Sequence, residues 1–173
     1  MTTIVAATNR PNSYTIKLSE CYKKMLEAHD HPAEIISLTD LPDRTLHNDM
    51  YSRQDPEFIQ IQKTVMDSSR FIFIVPEYNG SFPGVLKVFI DACKYPESFY
   101  GKKVALVGLS SGKYGNIRGI DHLTGICHYL NMHILPLKLH IPAIMKEFDE
   151  NGHLFKEDTL KYIRLQIRQF LDF

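Results

Sequence analysis

The chain has 173 residues and carries 20 Lys+Arg against 20 Asp+Glu, a formal net charge of zero. That balance argues against general electrostatic attraction to nucleic acid or to an anionic membrane, and we expect neither as a partner. No run of about 18 apolar residues suggests a transmembrane helix, and the length suits one domain, residues 1–173, with a sizeable core.

Read in chain order, apolar runs alternate with helix-like segments. TTIVAAT (2–8) predicts a first strand. YTIKLSECYKKMLEAH (14–29) predicts a helix that turns Ile16, Cys21 and Met25 inward. AEIISL (33–38) is a second strand, and residues 39–55 form a polar, irregular connection. PEFIQIQKTVMDSS (56–69) is a second helix, with Pro56 suited to its first turn. RFIFIV (70–75) is a third strand, followed by the helix PGVLKVFIDACKY (83–95) with Val85, Leu86, Phe89, Ile90 and Cys93 as its apolar residues. KKVALVGLS (102–110) and NIRGIDHLTGICHYLN (116–131) make a fourth strand and helix, the latter burying Ile120, Leu123, Cys127 and Leu130. MHILPLKL (132–139) is a fifth strand, broken or edged by Pro136. An excursion with a turn at Asn151-Gly152 precedes a closing helix, EDTLKYIRLQIRQFLDF (157–173).

Continuously apolar strands alternating with helices indicate a parallel sheet covered on both faces. Five such units predict an α/β, flavodoxin-like three-layer sandwich, a five-stranded parallel sheet of order 2-1-3-4-5. Ligands of such sheets sit beyond the carboxyl ends of the strands, where the strand order reverses. Three loops fall on that edge. ATNRPNSYT (7–15) carries Thr8, Arg10, Asn12, Ser13 and Thr15, holds no acid, and runs straight into a helix. A helix start has unpaired N–H groups and a dipole that favours an anion, so a phosphate suits it; the plainer reading is a helix cap by Ser13 or Asn12. The loop has neither GxGxxG nor GxxxxGK[ST], which points to a single phosphate and away from a dinucleotide or a P-loop nucleotide.

The second loop, PEYNGSFPG (76–84), supplies a carboxylate, an aromatic face, an amide and flexible glycines through Glu77, Tyr78, Asn79 and Gly80, with Pro76 leading in. An ordinary turn capped by Ser81 would not require the run Glu77-Tyr78-Asn79. The third, GLSSGKYGNIRG (108–119), offers Ser111, Gly112 and Gly115, small residues on which a flat ligand could lie. Alone it also reads as a glycine-rich start to a helix.

PEYNGSFPGVLKVFIDAC resembles the PEYNxSxPGxLKNxID signature of the NADPH-dependent FMN reductases, a family that includes bacterial quinone, azo-dye and chromate reductases. ATNRPNSYTIKL is similar to that family's GSxRxxSxxxxL phosphate loop, and GLSSGKYGNIRG to its SxGxxGG flavin loop. The resemblance runs from residue 3 to about residue 140. It implies bound FMN, NADPH or NADH as electron donor, a small-molecule electron acceptor, and a homodimer or homotetramer. Carried over, it puts Thr8, Arg10, Ser13 and, by position, Thr15 on the phosphate. It puts Pro76, Glu77, Tyr78 and Asn79 along the isoalloxazine, and Ser111, Gly112 and Gly115 at a third wall. Four residues depart from the pattern: Ala7 for Gly, Tyr14 for Asn, Val88 for Asn, and Asn116 for the second Gly of the pair.

In such a protein the flavin carries the redox chemistry, so no side chain is required as nucleophile or general base. His122 and His128 lie six residues apart, which is not a same-face metal pair, and no metal is expected. Two other readings compete. One is a non-enzymatic FMN electron carrier, although the chain lacks a TGNT-like phosphate loop and a strongly acidic composition. The other is a serine hydrolase with Ser110 of GLSSG as nucleophile and Asp149 and His153 downstream. Lys87 and Asp91, one helical turn apart, read as a surface pair, with a subunit contact for either or for Arg118 as the lesser option. The connection holding His47, Met50 and Tyr51 is a candidate to overhang a neighbouring subunit's flavin. The three scattered cysteines, Cys21, Cys93 and Cys127, fit thiols in a reducing cytoplasm, and MTTIVAATNR lacks the pattern of a secretory leader.

Overall fold

The computed structural model describes residues 1–42 and 55–173, so the expectation for His47, Met50 and Tyr51 lies outside the described residues. Five helices, α1 (Tyr14–Glu27), α2 (Pro56–Asp67), α3 (Gly84–Ala92), α4 (Ile117–Tyr129) and α5 (Glu157–Asp172), pack on one parallel sheet. Its strands are β1 (Thr2–Ala6), β2 (Ala33–Ser37), β3 (Arg70–Pro76), β4 (Lys103–Leu109), β5 (His133–Ile134) and β6 (Leu139–Ile141). The order is β2-β1-β3-β4-β5, with β6 also paired to β4. The expected order therefore stands, with one refinement: the fifth position is two short strands, not one. β5 lies against Lys103 and Val104, and β6 against Val107 to Leu109.

Strand periodicity builds the two cores. Phe71, Phe73 and Val75 of β3 face one side, with Leu86, Phe89 and Ile90 of α3 and Ile120, Leu123 and Cys127 of α4. Ile72 and Ile74 face the other, with Leu18, Tyr22 and Leu26 of α1 and Ile163, Ile167 and Phe170 of α5. The buried side of α1 is a correction. It consists of Thr15, Leu18, Ser19, Tyr22 and Leu26, while Ile16, Cys21 and Met25 lie half-buried on its flank. Polar partners draw the tyrosine inside: the Tyr22 hydroxyl donates to Gln166 Oε1 at 2.8 Å. Burial also pushes the Tyr22 phenol well above its ordinary pKa.

The same glutamine repairs the broken strand. Pro136 lies between β5 and β6, where the pairing to β4 is interrupted, and Gln166 Nε2 donates to Leu106 O at 3.2 Å and to Leu137 O at 2.9 Å. Local signals set the helix starts. Asp55 accepts from the N–H groups of Glu57 and Phe58 at 2.9 and 3.2 Å, with Pro56 in the first turn of α2 as its fixed φ favours. At the far end, Arg70 donates to the carbonyls of Phe170 and Leu171, at 2.5 and 3.2 Å, and so holds the last turn of α5. The Asn151-Gly152 turn forms as expected, with Gly152 at φ 78° and Phe148 bridged to Leu154.

Candidate functional site

β1, β3 and β4 end together, and their loops meet at the carboxyl edge of the sheet. In the first loop Ser13 caps α1, its hydroxyl accepting from Ile16 N–H at 3.3 Å. That cap leaves the N–H groups of Tyr14 and Thr15 without a partner among the described residues. No acid lies in the first turn of α1. Thr8 and Thr15 are buried, whereas Arg10 and Asn12 are exposed, Asn12 at a left-handed φ of 52°. The cap and the anion-ready helix start are thus compatible, because they use different N–H groups.

The second loop is a tight turn. Tyr78 N–H donates to Ser81 O at 2.9 Å and Ser81 N–H returns a bond to Tyr78 O at 3.1 Å. Asn79 and Gly80 between them sit at φ 52° and 76°, the left-handed pair of a type I′ turn. Asn-Gly is the dipeptide best suited to that turn, so these two residues write their own conformation. The Tyr78 hydroxyl and Thr8 Oγ1 lie 2.5 Å apart, and the Arg10 guanidinium stands 5.3 Å over the Tyr78 ring. Tyr78 therefore locks the second loop onto the first. Ser81 does not cap α3; its hydroxyl meets His122 Nδ1 at 3.0 Å, and α3 begins after Pro83 with no side-chain cap.

The third loop is held from outside. Ser110 N–H donates to Ile141 O, Ala143 N–H to Gly112 O and Ile144 N–H to Ser110 O, at 3.1, 2.8 and 3.0 Å. The end of β6 and the residues just after it thereby clamp it, with Ala143 in the left-handed region at φ 46°. Ser111 and Gly112 remain exposed at the edge. Gly115 does not: it is buried at φ 56°, and a Cβ there would stand 2.6 Å from His140 C and Ile141 N. Its glycine serves close approach to β6. Asn116, which stands where the pattern has glycine, occupies φ 63°, a conformation that asparagine tolerates better than most other residues.

The hydrolase arrangement does not form. Ser110 Oγ donates to Gly112 O at 3.1 Å and accepts from Gly115 N–H at 2.9 Å, so the hydroxyl is spent on its own loop. Asp149 and His153 face each other at 3.6 Å on the exposed turn before α5. Backbone N–H donation from His153 leads the causes that hold the Asp149 carboxyl below its ordinary range. Lys87 and Asp91 make the expected exposed pair at 2.7 Å. Among the described residues no cluster of His, Cys, Asp and Glu could hold a metal ion. Sequence reasoning missed three things here: the Ser110 hydroxyl as an internal brace, the clamp from residues 141–144, and Asn116 as a link to β3, its Nδ2 donating to Val75 O at 3.0 Å. For the last, an asparagine directly after glycine at a helix start was the available signal.

The loops gather Thr8, Arg10, Ser13, Tyr78, Asn79, Ser111 and Gly112 on one edge. A likeness to known proteins covers that edge and most of the sheet. The NADPH-dependent FMN reductase family model matches residues 2–145. An NAD(P)H-dependent FMN reductase of Pseudomonas aeruginosa is 32% identical over 142 residues, spanning 79% of this chain and 77% of that one. A 2-hydroxy-1,4-benzoquinone reductase of a Burkholderia species is 28% identical over 166 residues, 93% and 88% of the two chains. In structure, a flavoenzyme NAD(P)H:(acceptor) oxidoreductase of Paracoccus denitrificans superimposes with a TM-score of 0.80 at 22% identity, covering 99% and 94% of the two chains, which speaks to the fold. With its family model spanning all three loops, the chain belongs to the NADPH-dependent FMN reductases.

Proposed function

We propose that this protein is an FMN-dependent oxidoreductase that takes hydride from NADPH or NADH and passes electrons to a small acceptor by ping-pong turnover. The acceptor class is a quinone, an azo compound or a free flavin. Similar proteins include the benzoquinone reductase above and an FMN-dependent NADPH-azoreductase of Staphylococcus saprophyticus, 27% identical over 176 residues. The observation that carries the proposal is the meeting of an acid-free helix start with two glycine-bearing loops at one sheet edge.

The residues present fit FMN. The open N–H groups at the start of α1, the Arg10 cation and the Thr8 and Ser13 hydroxyls suit a phosphate. A Cβ on Gly80 or Gly112 would meet no atom within 4 Å, so both glycines border open space where a flat ring system can lie. In this reading Thr8, Arg10, Asn12, Ser13 and Thr15 hold the phosphate end. Pro76, Glu77, Tyr78, Asn79 and Gly80 border the ring on one side, and Ser111 and Gly112 on another, with Gly115 fixing that wall from below. Bound FMN supplies the redox chemistry, accepting a hydride and returning two electrons. The protein's part is to bind, orient and neutralise charge: Arg10 and the α1 dipole offset the phosphate, and no side chain acts as a nucleophile.

A homodimer or homotetramer in a reducing cytoplasm completes the proposal. Exposed Ile117 and Tyr129 on α4 offer apolar surface for subunit contact, and the three cysteines form no disulfide. Among the described residues no helix is long and apolar enough to cross a membrane.

The test is a visible spectrum of the purified protein after loading with FMN and removing the excess. Flavin bands that bleach with NADPH in the absence of air support the enzyme. Bands that persist with NADPH identify a carrier, and no retained flavin removes the cofactor assignment. Arg10→Ala is expected to weaken FMN retention; unchanged affinity would remove Arg10 from the phosphate site.

A further inference from the structure

Asn116 sits at the start of α4 but does not behave as a helix cap. It makes no side-chain cap bond, although asparagine is among the best residues for one. The side chain is fully buried and turns toward β3, where Nδ2 donates to Val75 O at 3.0 Å. Oδ1 is buried with no hydrogen-bond partner. The opposite amide orientation would set Oδ1 against the Val75 carbonyl, so the bond itself fixes which atom is which. The fold thus gives up a cap bond and buries an unpaired acceptor while keeping one bond. That bond goes to the last carbonyl before Pro76, where the second loop leaves the sheet.

Gly119 and His122 follow at three-residue steps, on one side of α4. A Cβ on Gly119 would lie 2.1 Å from Asn116 Oδ1 and 2.7 Å from the backbone carbon of Ser81. His122 Nδ1 meets the Ser81 hydroxyl at 3.0 Å, and its ring stands 4.9 Å from that of Phe82. All three residues of the stripe therefore touch, or leave room for, the second loop or the strand end that feeds it. The third loop leads directly into the same helix.

We propose that Asn116, Gly119 and His122 form a positioning ridge, led by Asn116, that sets the second loop against the third. In this proposal Gly119 lacks a side chain because Asn116 and the second-loop backbone fill its place. For cofactor binding the proposal rests on the FMN reading above. The ridge touches no reacting atom; it acts through Val75 and Ser81 on the turn that borders the ring.

The test compares Asn116→Gly, which keeps the left-handed backbone and removes the tether, with Cys127→Ala, a buried change on the same helix away from the loops. Amide hydrogen exchange of residues 76–83 is measured in the apoprotein, and FMN affinity by quenching of flavin fluorescence. Asn116→Gly is expected to speed exchange in residues 76–83 and to weaken FMN binding about tenfold, the order expected from losing one buried hydrogen bond. Cys127→Ala is expected to change neither. His122→Ala, at an exposed position, tests the same ridge without disturbing the core and is expected to speed the same exchange to a smaller degree. Exchange in residues 76–83 that stays at the wild-type rate in both ridge variants overturns the proposal, as does an equal response to Cys127→Ala. If the wild-type protein binds no FMN, the cofactor reading fails, and the apoprotein exchange still decides the ridge.

Discussion

The second and third loops stand on the same sheet edge and are built by opposite means. The second makes its own shape: Asn79 and Gly80 adopt the I′ turn, and the paired backbone bonds of Tyr78 and Ser81 close it. The third takes its shape from elsewhere. Ile141, Ala143 and Ile144 bond its backbone, Ser110 braces it within, and Gly115 lies against β6. A turn whose residues favour its dihedral angles needs little outside help. A loop whose glycines serve close approach depends on what it approaches. The comparison locates the fragility of the site in the third loop, although the second carries the more recognisable motif.

The largest effect that would break this comparison is at Gly115. Gly115→Ala places a Cβ 2.6 Å from the β6 backbone in a left-handed conformation. Backbone cannot yield there as a flexible side chain could, so a loss of about 3 kcal/mol or more is expected in denaturant unfolding, together with weakened FMN retention. Ser110→Ala comes next. It strands the buried Gly115 N–H, while the Gly112 carbonyl keeps its bond from Ala143 N–H, for about 2 kcal/mol in the same assay. The variant should keep NADPH-dependent flavin bleaching; abolished reduction with FMN fully retained would count against Ser110 as a brace.

Gly80→Ala sharpens the contrast with Gly115→Ala, because both residues have positive φ but only one is crowded. With no atom within 4 Å of the added Cβ, Gly80→Ala meets backbone strain alone. The expected cost is about 1 kcal/mol, the penalty of a left-handed L-residue. A loss equal to that of Gly115→Ala would show the second loop to be as dependent on packing as the third. Tyr78→Phe is the smallest change. It removes the hydroxyl contact with Thr8, costing about 1 kcal/mol or less, and is expected to weaken FMN binding a few-fold while the turn itself persists. Equilibrium unfolding and flavin titration read the two effects separately.

Much of the architecture was legible in the sequence because it rests on short-range physics. Alternating buried positions such as Phe71, Phe73 and Val75 against Ile72 and Ile74 made the strands two-sided. Pro56 marked a helix start, and Asn151-Gly152 marked a turn. The meeting of the three candidate loops was legible, since strand-end loops of a parallel sheet share one edge whatever their details. The inward face of α1 was misread because Tyr22 looks amphipathic until Gln166, 144 positions away, accepts its hydroxyl bond.

By itself, then, the sequence determined the order of the elements, the edge on which they converge and the I′ turn of the second loop. Each follows from side-chain periodicity or from the dihedral preferences of one or two neighbouring residues. Only the tertiary structure decided what the remaining polar groups do. It spent the Ser110 hydroxyl on Gly115, turned Asn116 from a cap into a tether on Val75, and set Gln166 in the gap beside Pro136. The physical reason is common to all three. Buried polar groups take the partners that come within reach, and which ones do depends on packing between segments far apart in the chain.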